Sequence, residues 1–168
     1  MNKGEFRKKI LELFPHDPRL TEDFVERVSP FLMGNVLSYL PLEKECNIAQ
    51  LNKILLSQGR LFLPEIDGDQ LQVVKVLDLE PLKESAWNTA ICHSSIPKTV
   101  NEIQTVLVPC LGVDLSFRRL GRGKGYYDRF LKQLNPKVRR ISIVYKEQVC
   151  LSLPEDAWDE KVDTIFVF

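Results

Sequence analysis

Residues 105–109 and 140–145 are apolar runs of strand length, the second rich in β-branched side chains, and between them residues 126–134 carry apolar side chains at helical spacing. Apolar strands that alternate with helices argue for a largely parallel α/β sheet covered on both faces, with ligands bound at the carboxyl ends of its strands. The rest of the chain must supply the further strands and the covering helices.

It does so in short pieces. Phe6, Ile10, Leu13 and Phe14 share one helical face, Lys3 and Arg7 lie one turn apart on another, and Pro15 stops this first helix. A second helix starts at Thr21 as N-cap, with Glu22 and Asp23 complementing its dipole, Phe24, Val25 and Val28 facing inward, and Pro30 limiting it. Residues 35–40 read as a short buried strand. Ile48, Leu51, Ile54 and Leu55 mark a helix over 47–57 that ends at Gly59. Strands follow at 60–63 and 71–76, separated by the turn Asp67-Gly68-Asp69, whereas 81–99 lacks periodicity and is expected to run over the surface. Nothing repeats and no linker interrupts the chain, so residues 1–168 form one expected domain.

Charge excludes several classes of function. Lys and Arg number 23 and so do Asp and Glu, so no overall field draws the protein to nucleic acid or to a membrane surface. The amino end is charged and amphipathic, and no segment reaches membrane-span length, which leads to the expectation of a cytoplasmic protein. Cys46, Cys92, Cys110 and Cys150 form no C-x-x-C pair, and His16 and His93 are the histidines, so a zinc cluster or disulfide framework is not expected. Any anion site must be local.

Residues 118–129, Arg-Arg-Leu-Gly-Arg-Gly-Lys-Gly-Tyr-Tyr-Asp-Arg, form either such a site or a mobile surface hairpin whose basic residues are simply solvated, and five basic residues in a neutral protein favour the site. Gly121, Gly123 and Gly125 alternate with Arg122 and Lys124, which lets backbone approach an anion while cations flank it. The helix opening near Tyr126 adds its first amides, as in other phosphate sites. The spacing is neither that of a Walker A loop nor that of a Rossmann fingerprint, because Tyr126 stands where a third glycine belongs. Asp128, the one carboxylate among five basic residues, is either a magnesium contact beside phosphate or the partner of a neighbouring arginine. Tyr126 and Tyr127 either stack on a planar ligand or pack into the core, and since neighbours on a helix point in different directions, one of each is expected.

The segment 119–128 resembles the signature of the 5-formyltetrahydrofolate cyclo-ligases, also called methenyltetrahydrofolate synthetases. Val106 to Pro109 with Leu111-Gly-Val-Asp114 is similar to the family's strand and turn, and Lys146-Glu-Gln148 followed by Pro154 resembles its next shared block. Lys3 and Arg7 match its opening helix, and Glu45-Cys-Asn-Ile fits a further segment loosely.

The resemblance implies a three-layer α/β/α fold similar to the sugar-phosphate isomerases and CoA transferases. It implies an enzyme that uses ATP and Mg2+ to close 5-formyltetrahydrofolate into 5,10-methenyltetrahydrofolate; a monomer is expected, and the neutral charge leads to no nucleic acid or membrane as partner. By matched position, Lys3, Arg7, Arg119, Gly121, Arg122, Gly123, Lys124, Gly125, Tyr126, Tyr127 and Asp128 would line the ATP site. Arg119 and Lys124 would act in catalysis, Asp128 would hold magnesium, and Glu45 and Tyr127 would lie on the folate side.

Cys110, Phe117 and Ile48 depart from the pattern, the first two standing where glycine is usual, and each is expected to alter the rim of the folate site. Those departures keep open a kinase or ligase acting on a non-folate small molecule. A nucleic-acid module stacking bases on Tyr126 and Tyr127 is the other rival, disfavoured by the neutral charge.

Overall fold

The computed structural model describes residues 2–13, 19–78, 83–84, 90–91, 95–98 and 100–168. Its strands are β1 (Val36–Leu37), β2 (Leu61–Asp67), β3 (Gln70–Val76), β4 (Lys83–Glu84), β5 (Ala90–Ile91), β6 (Ser95–Lys98), β7 (Thr105–Leu107), β8 (Gly112–Asp114), β9 (Arg119–Leu120), β10 (Arg139–Val144), β11 (Val149–Cys150) and β12 (Thr164–Val167). Its helices are α1 (Lys3–Leu13), α2 (Glu22–Val28), α3 (Ala49–Ser57) and α4 (Tyr126–Lys132).

Among the described residues, seven strands form the main sheet in the order β12-β10-β7-β1-β2-β3-β6. From β12 to β2 every neighbouring pair is parallel, and the β2–β3 hairpin and β6 extend the sheet antiparallel. The sheet is therefore mostly parallel, as its apolar runs predict. Side chains alternate across it. Val36, Leu61, Leu63, Val74, Leu107, Ile141 and Ile143 meet Ile10 of α1, Phe24, Val25 and Val28 of α2, and Leu51 and Leu55 of α3. Leu37, Phe62, Val73 and Val106 meet Phe130 and Leu131 of α4 on the opposite face. Full burial of each such side chain stabilises the fold by roughly 1.5–3 kcal/mol relative to exposure.

Local signals behave as the sequence suggests at two helix ends. Thr21 Oγ1 accepts from the Phe24 amide at the start of α2. Gly59, with φ 66°, follows α3, and the amides of Gly59 and Arg60 return to the carbonyls of Leu56 and Leu55 in a Schellman closure. α2 ends at Val28 with Ser29 as its C-cap, directly before Pro30, as expected; the chain then tightens into a 3-10 turn over Ser29–Phe31, where Pro sits at a first-turn position that needs no amide donor. One expectation is corrected. Within 81–99, β6 joins the main sheet and β4 pairs with β5, so that stretch is not simply a surface excursion. Pro15 and the remainder of 81–99 lie outside the described residues.

Candidate active site

The glycine-rich stretch is positioned from both ends. On its amino side, β8 and β9 form a short antiparallel pair, with Gly112 opposite Leu120 and Val113 opposite Arg119. The connecting turn is fixed by Asp114, whose carboxylate accepts from the amides of Ser116 (2.9 Å), Arg118 (3.2 Å) and Leu153 (2.8 Å) and from Arg118 Nε (2.7 Å). Burial alone would raise the Asp114 pKa, but those donors outweigh it and hold the carboxyl below its ordinary value. Arg119 thus projects from a strand, buried, rather than from a mobile hairpin.

On the carboxyl side, Gly125 caps α4 with φ 70°, a backbone conformation that favours glycine. Gly123 has φ 95°, and a Cβ there would meet the Arg7 guanidinium at 3.1 Å. Arg7 Nε in turn donates to the Gly121 carbonyl at 2.8 Å, so α1 and the loop are tied together although 114 positions separate them.

This loop is the shared wall of two cavities. The larger, about 490 Å³, is lined mainly by apolar groups, among them Tyr39, Leu40, Leu63, Ile66, Tyr126 and Tyr127, with Glu45 and Lys124 also on its wall. It opens beside the segments that follow β1 and β7, at the carboxyl ends of parallel strands. The smaller, about 300 Å³, is polar, with Lys3, Arg7, Asp156 and Asp159 facing Arg119, Asp128 and the three loop glycines. Every sequence-predicted site residue lines one cavity or both. Tyr126 and Tyr127 do not divide into one core and one ligand residue; both pack on the apolar cluster of α4 and both line the larger cavity.

The basic side chains are less available than the sequence implies. Arg118 belongs to the Asp114 turn, and Arg129 donates to the carbonyls of Asp69 and Lys124 while lying over the Tyr126 ring. Arg119 pairs with Asp128 at 2.6 Å, and Arg122 pairs with Glu45 at 2.9 Å. Asp128 is therefore an arginine partner in this structure, its Oδ1 also accepting from the Glu160 amide. Lys3 bridges Asp156, at 2.6 Å, and Asp159. Burial works to lower the Lys3 pKa, but its hydrogen bonds to the two aspartates prevail and leave it raised.

Among the described residues, two buried polar atoms in this region have no hydrogen-bond partner, Arg119 Nε and the Tyr127 hydroxyl. Leaving such atoms unpaired costs roughly 1–3 kcal/mol each, and both belong to residues that line the larger cavity. Burial pushes the Tyr127 phenol up, with the Glu45 charge adding and Arg119 opposing, so Tyr127 is a neutral donor. Asp128, with one oxygen turned to Arg119 and its neighbour Asp159 across the polar cavity, is chemically suited to a hydrated magnesium ion. Among the described residues, no group of three or more His, Cys, Asp and Glu forms a metal cluster, so the protein alone does not build a dedicated cage.

The three departures noted in the sequence do not touch the rim. Cys110 is buried, its thiol pushed up to about 12 by burial, and Ile48 is a core residue. Phe117 turns outward at a positive φ of 62°, keeping the glycine-like backbone path. Sequence reasoning missed Asp156, Trp158 and Asp159, because nothing in their spacing connects them to Lys3 more than 150 positions away. It also missed the placement of Gln148, which binds the carbonyls of Lys44 and Leu111 and so joins the loop bearing Glu45 to the strand pair bearing Arg119.

Residues 26–168 match the 5-formyltetrahydrofolate cyclo-ligase family. The 5-formyltetrahydrofolate cyclo-ligase of Mus musculus is 29% identical over 76% of this chain and 70% of its own length. That of Mycolicibacterium smegmatis is 29% identical over 94% and 89%. The NMR structure of Aquifex aeolicus 5,10-methenyltetrahydrofolate synthetase superposes with a TM-score of 0.79 at 30% identity, covering 99% of this chain and 90% of that one. With the strand pair, the glycine-rich wall and the two cavities in place, these likenesses identify the chain as a member of the 5-formyltetrahydrofolate cyclo-ligase family.

Proposed function

We propose that this protein closes 5-formyltetrahydrofolate to 5,10-methenyltetrahydrofolate at the expense of ATP, releasing ADP and phosphate. The observation that carries the reading is the single wall, residues 119–125, shared by an apolar cavity and a polar one. A reaction that joins a triphosphate to a flat, largely apolar substrate needs both ligands to meet at such a boundary.

The flat substrate occupies the larger cavity, with Tyr127 offering its buried hydroxyl and Glu45 its carboxylate to polar edges. The triphosphate occupies the smaller cavity, where Arg7, Lys3 and the loop glycines surround it and Arg119 and Lys124 face the boundary. The formyl oxygen attacks the γ-phosphorus and ADP leaves, giving an iminium-type phosphate. N10 then attacks the activated carbon, phosphate departs with the former formyl oxygen, and N10 gives up its proton. A formamide oxygen leaves poorly until it carries phosphate, so the chain's main task is to neutralise charge on the transferring group. Arg119 is placed for that by burial, which strengthens its field. Asp128 would hold magnesium, which supplies charge neutralisation at the phosphates.

We also read the fold as the three-layer arrangement similar to sugar-phosphate isomerases and CoA transferases, and the protein as a cytoplasmic monomer. Among the described residues, no helix is long and apolar enough to cross a membrane.

The test mixes purified protein with magnesium, ATP and 5-formyltetrahydrofolate and follows the near-ultraviolet absorbance of the methenyl product, with controls omitting each component. A signal that needs all three supports the reading. ATP binding without product would point to a non-folate substrate, and absence of ATP binding would remove the polar cavity's assignment.

A further inference from the structure

Trp158 is one of two tryptophans in the chain and stands 67% exposed on the wall of the polar cavity. Large aromatic side chains contribute to folding by burial, and this one forgoes most of that contribution. Its backbone is nonetheless held firmly. The Asp156 amide donates to Asp159 Oδ2 at 2.7 Å, the Asp159 amide donates to the Asp156 carbonyl at 3.1 Å, and Lys3 binds both carboxylates from α1. A turn closed at three points presents an indole to solvent, beside a cavity whose other walls are cations, carboxylates, glycine backbone and the buried Leu120.

Those other walls suit a polyphosphate and, with Leu120 only 1% exposed, offer no flat apolar surface for a base. Arg7, Lys3, Arg119, Asp128 and the loop glycines are all polar or without side chain. The apolar surface on the far side of residues 119–125 is taken, on the functional reading above, by the second substrate. We propose that Trp158 is the platform on which the nucleotide's purine base stacks, and that it sets the preference for a nucleoside triphosphate over bare polyphosphate. The Lys3 bridge then has a second consequence: it fixes the base platform relative to the α1 cations that meet the phosphates. Every base has a face to offer to an aromatic side chain, so the contact selects for a base without reading which one. The inference rests on the polar cavity being the ATP site.

The experiment compares wild type, Trp158→Phe and Trp158→Ala by calorimetric titration with magnesium ATP and, separately, with magnesium tripolyphosphate, with thermal unfolding as a check on folding. Trp158→Ala is expected to weaken ATP about tenfold, to leave tripolyphosphate affinity unchanged, and to leave the KM for 5-formyltetrahydrofolate unchanged. Trp158→Phe should recover most of the loss, because a smaller ring still stacks. Equal weakening of ATP and tripolyphosphate would overturn the proposal and assign Trp158 to support of the Lys3 turn. Unchanged ATP affinity in Trp158→Ala would overturn it outright. Wild-type protein that binds neither probe would overturn the ATP-site reading itself, and with it this inference.

Discussion

Arg122 reaches from the glycine-rich loop to Glu45, its Nε donating to Oε1 at 2.9 Å while the same guanidinium binds the Glu43 carbonyl. Glu45 Oε2 accepts from the Leu42 amide at 3.0 Å, so a carboxylate with 5% exposure is satisfied from two directions. On the functional reading above, a bound phosphate would compete with Glu45 for one guanidinium. Arg122→Ala leaves the buried carboxylate without its cation, and because Arg122 is about a third exposed the stability loss is placed at about 1–2 kcal/mol. Urea unfolding of Arg122→Ala, Glu45→Ala and the double variant measures the coupling; strictly additive losses would show that the pair contributes nothing.

Lys124 is exposed on the shared wall, and its replacement separates catalysis from folding. Lys124→Ala should lower kcat/KM by roughly a hundredfold or more, in the range of lost electrostatic contacts to a transferring group. Thermal unfolding should move little. A large drop in unfolding temperature with activity retained would assign the lysine to structure instead.

Phe117 carries a left-handed backbone, φ 62°, at a position where glycine costs nothing. The Phe117 amide donates to the Asp114 carbonyl at 3.0 Å and the Phe117 carbonyl accepts from the Val162 amide at 3.1 Å, so the surrounding chain keeps it there. Relief of about 1–2 kcal/mol of backbone strain is offset by the greater freedom of glycine in the unfolded chain, about 0.5–1 kcal/mol. Phe117→Gly is therefore expected to be neutral to stabilising by up to about 1 kcal/mol, with unchanged activity because the side chain lines neither cavity. Destabilisation would show that the half-exposed ring packs productively.

Asp114 gives the chain an acid-sensitive joint. Its folded pKa lies below the ordinary value, so the contribution is fully present above the unfolded Asp pKa, about 3.9, and is lost as pH falls through the folded value. Wild-type stability should drop below about pH 4 partly for this reason, and Asp114→Asn, which also loses acceptor strength toward four donors, should be destabilised at pH 7 by about 2–3 kcal/mol with a flatter acid limb. Denaturant midpoints at pH 7 and pH 3.5 decide it: equal losses at both would remove the carboxylate's charge from the account.

How much of this was legible beforehand follows the range of the interactions. Helix signals acting over three or four residues, such as Thr21 and Gly59, place α2 and α3 well. The apolar runs place β7 and β10, but β8, β9 and β11 are strands of two or three residues whose existence depends on pairing with each other, and no local pattern marks them. In the site, alternating glycines and cations reveal the loop. Which cation meets which carboxylate was hidden, because Arg122 with Glu45 and Lys3 with Asp159 are joined across the fold rather than along the chain. The basic residues over 118–129 thus read as surplus charge in sequence, whereas Arg118, Arg119, Arg122 and Arg129 hold fixed partnerships in structure.

Asp128 tests that difference directly. In the structure it is bound to Arg119 at 2.6 Å, a pair whose arginine is 4% exposed and whose aspartate is 21% exposed. If pairing is its whole role, Asp128→Asn loses a charge-assisted bond and about 1–2 kcal/mol of stability, and the magnesium titration keeps its midpoint. If it also holds magnesium beside the phosphates, the amide leaves one weaker, neutral oxygen where a carboxylate stood, and the midpoint rises several-fold while saturating magnesium restores much of the rate. We expect the second result. The measurement is activity against free magnesium at fixed ATP, for wild type and variant, alongside thermal unfolding of each without ligand; an unmoved midpoint with a lowered unfolding temperature would leave Asp128 as the partner of Arg119 alone.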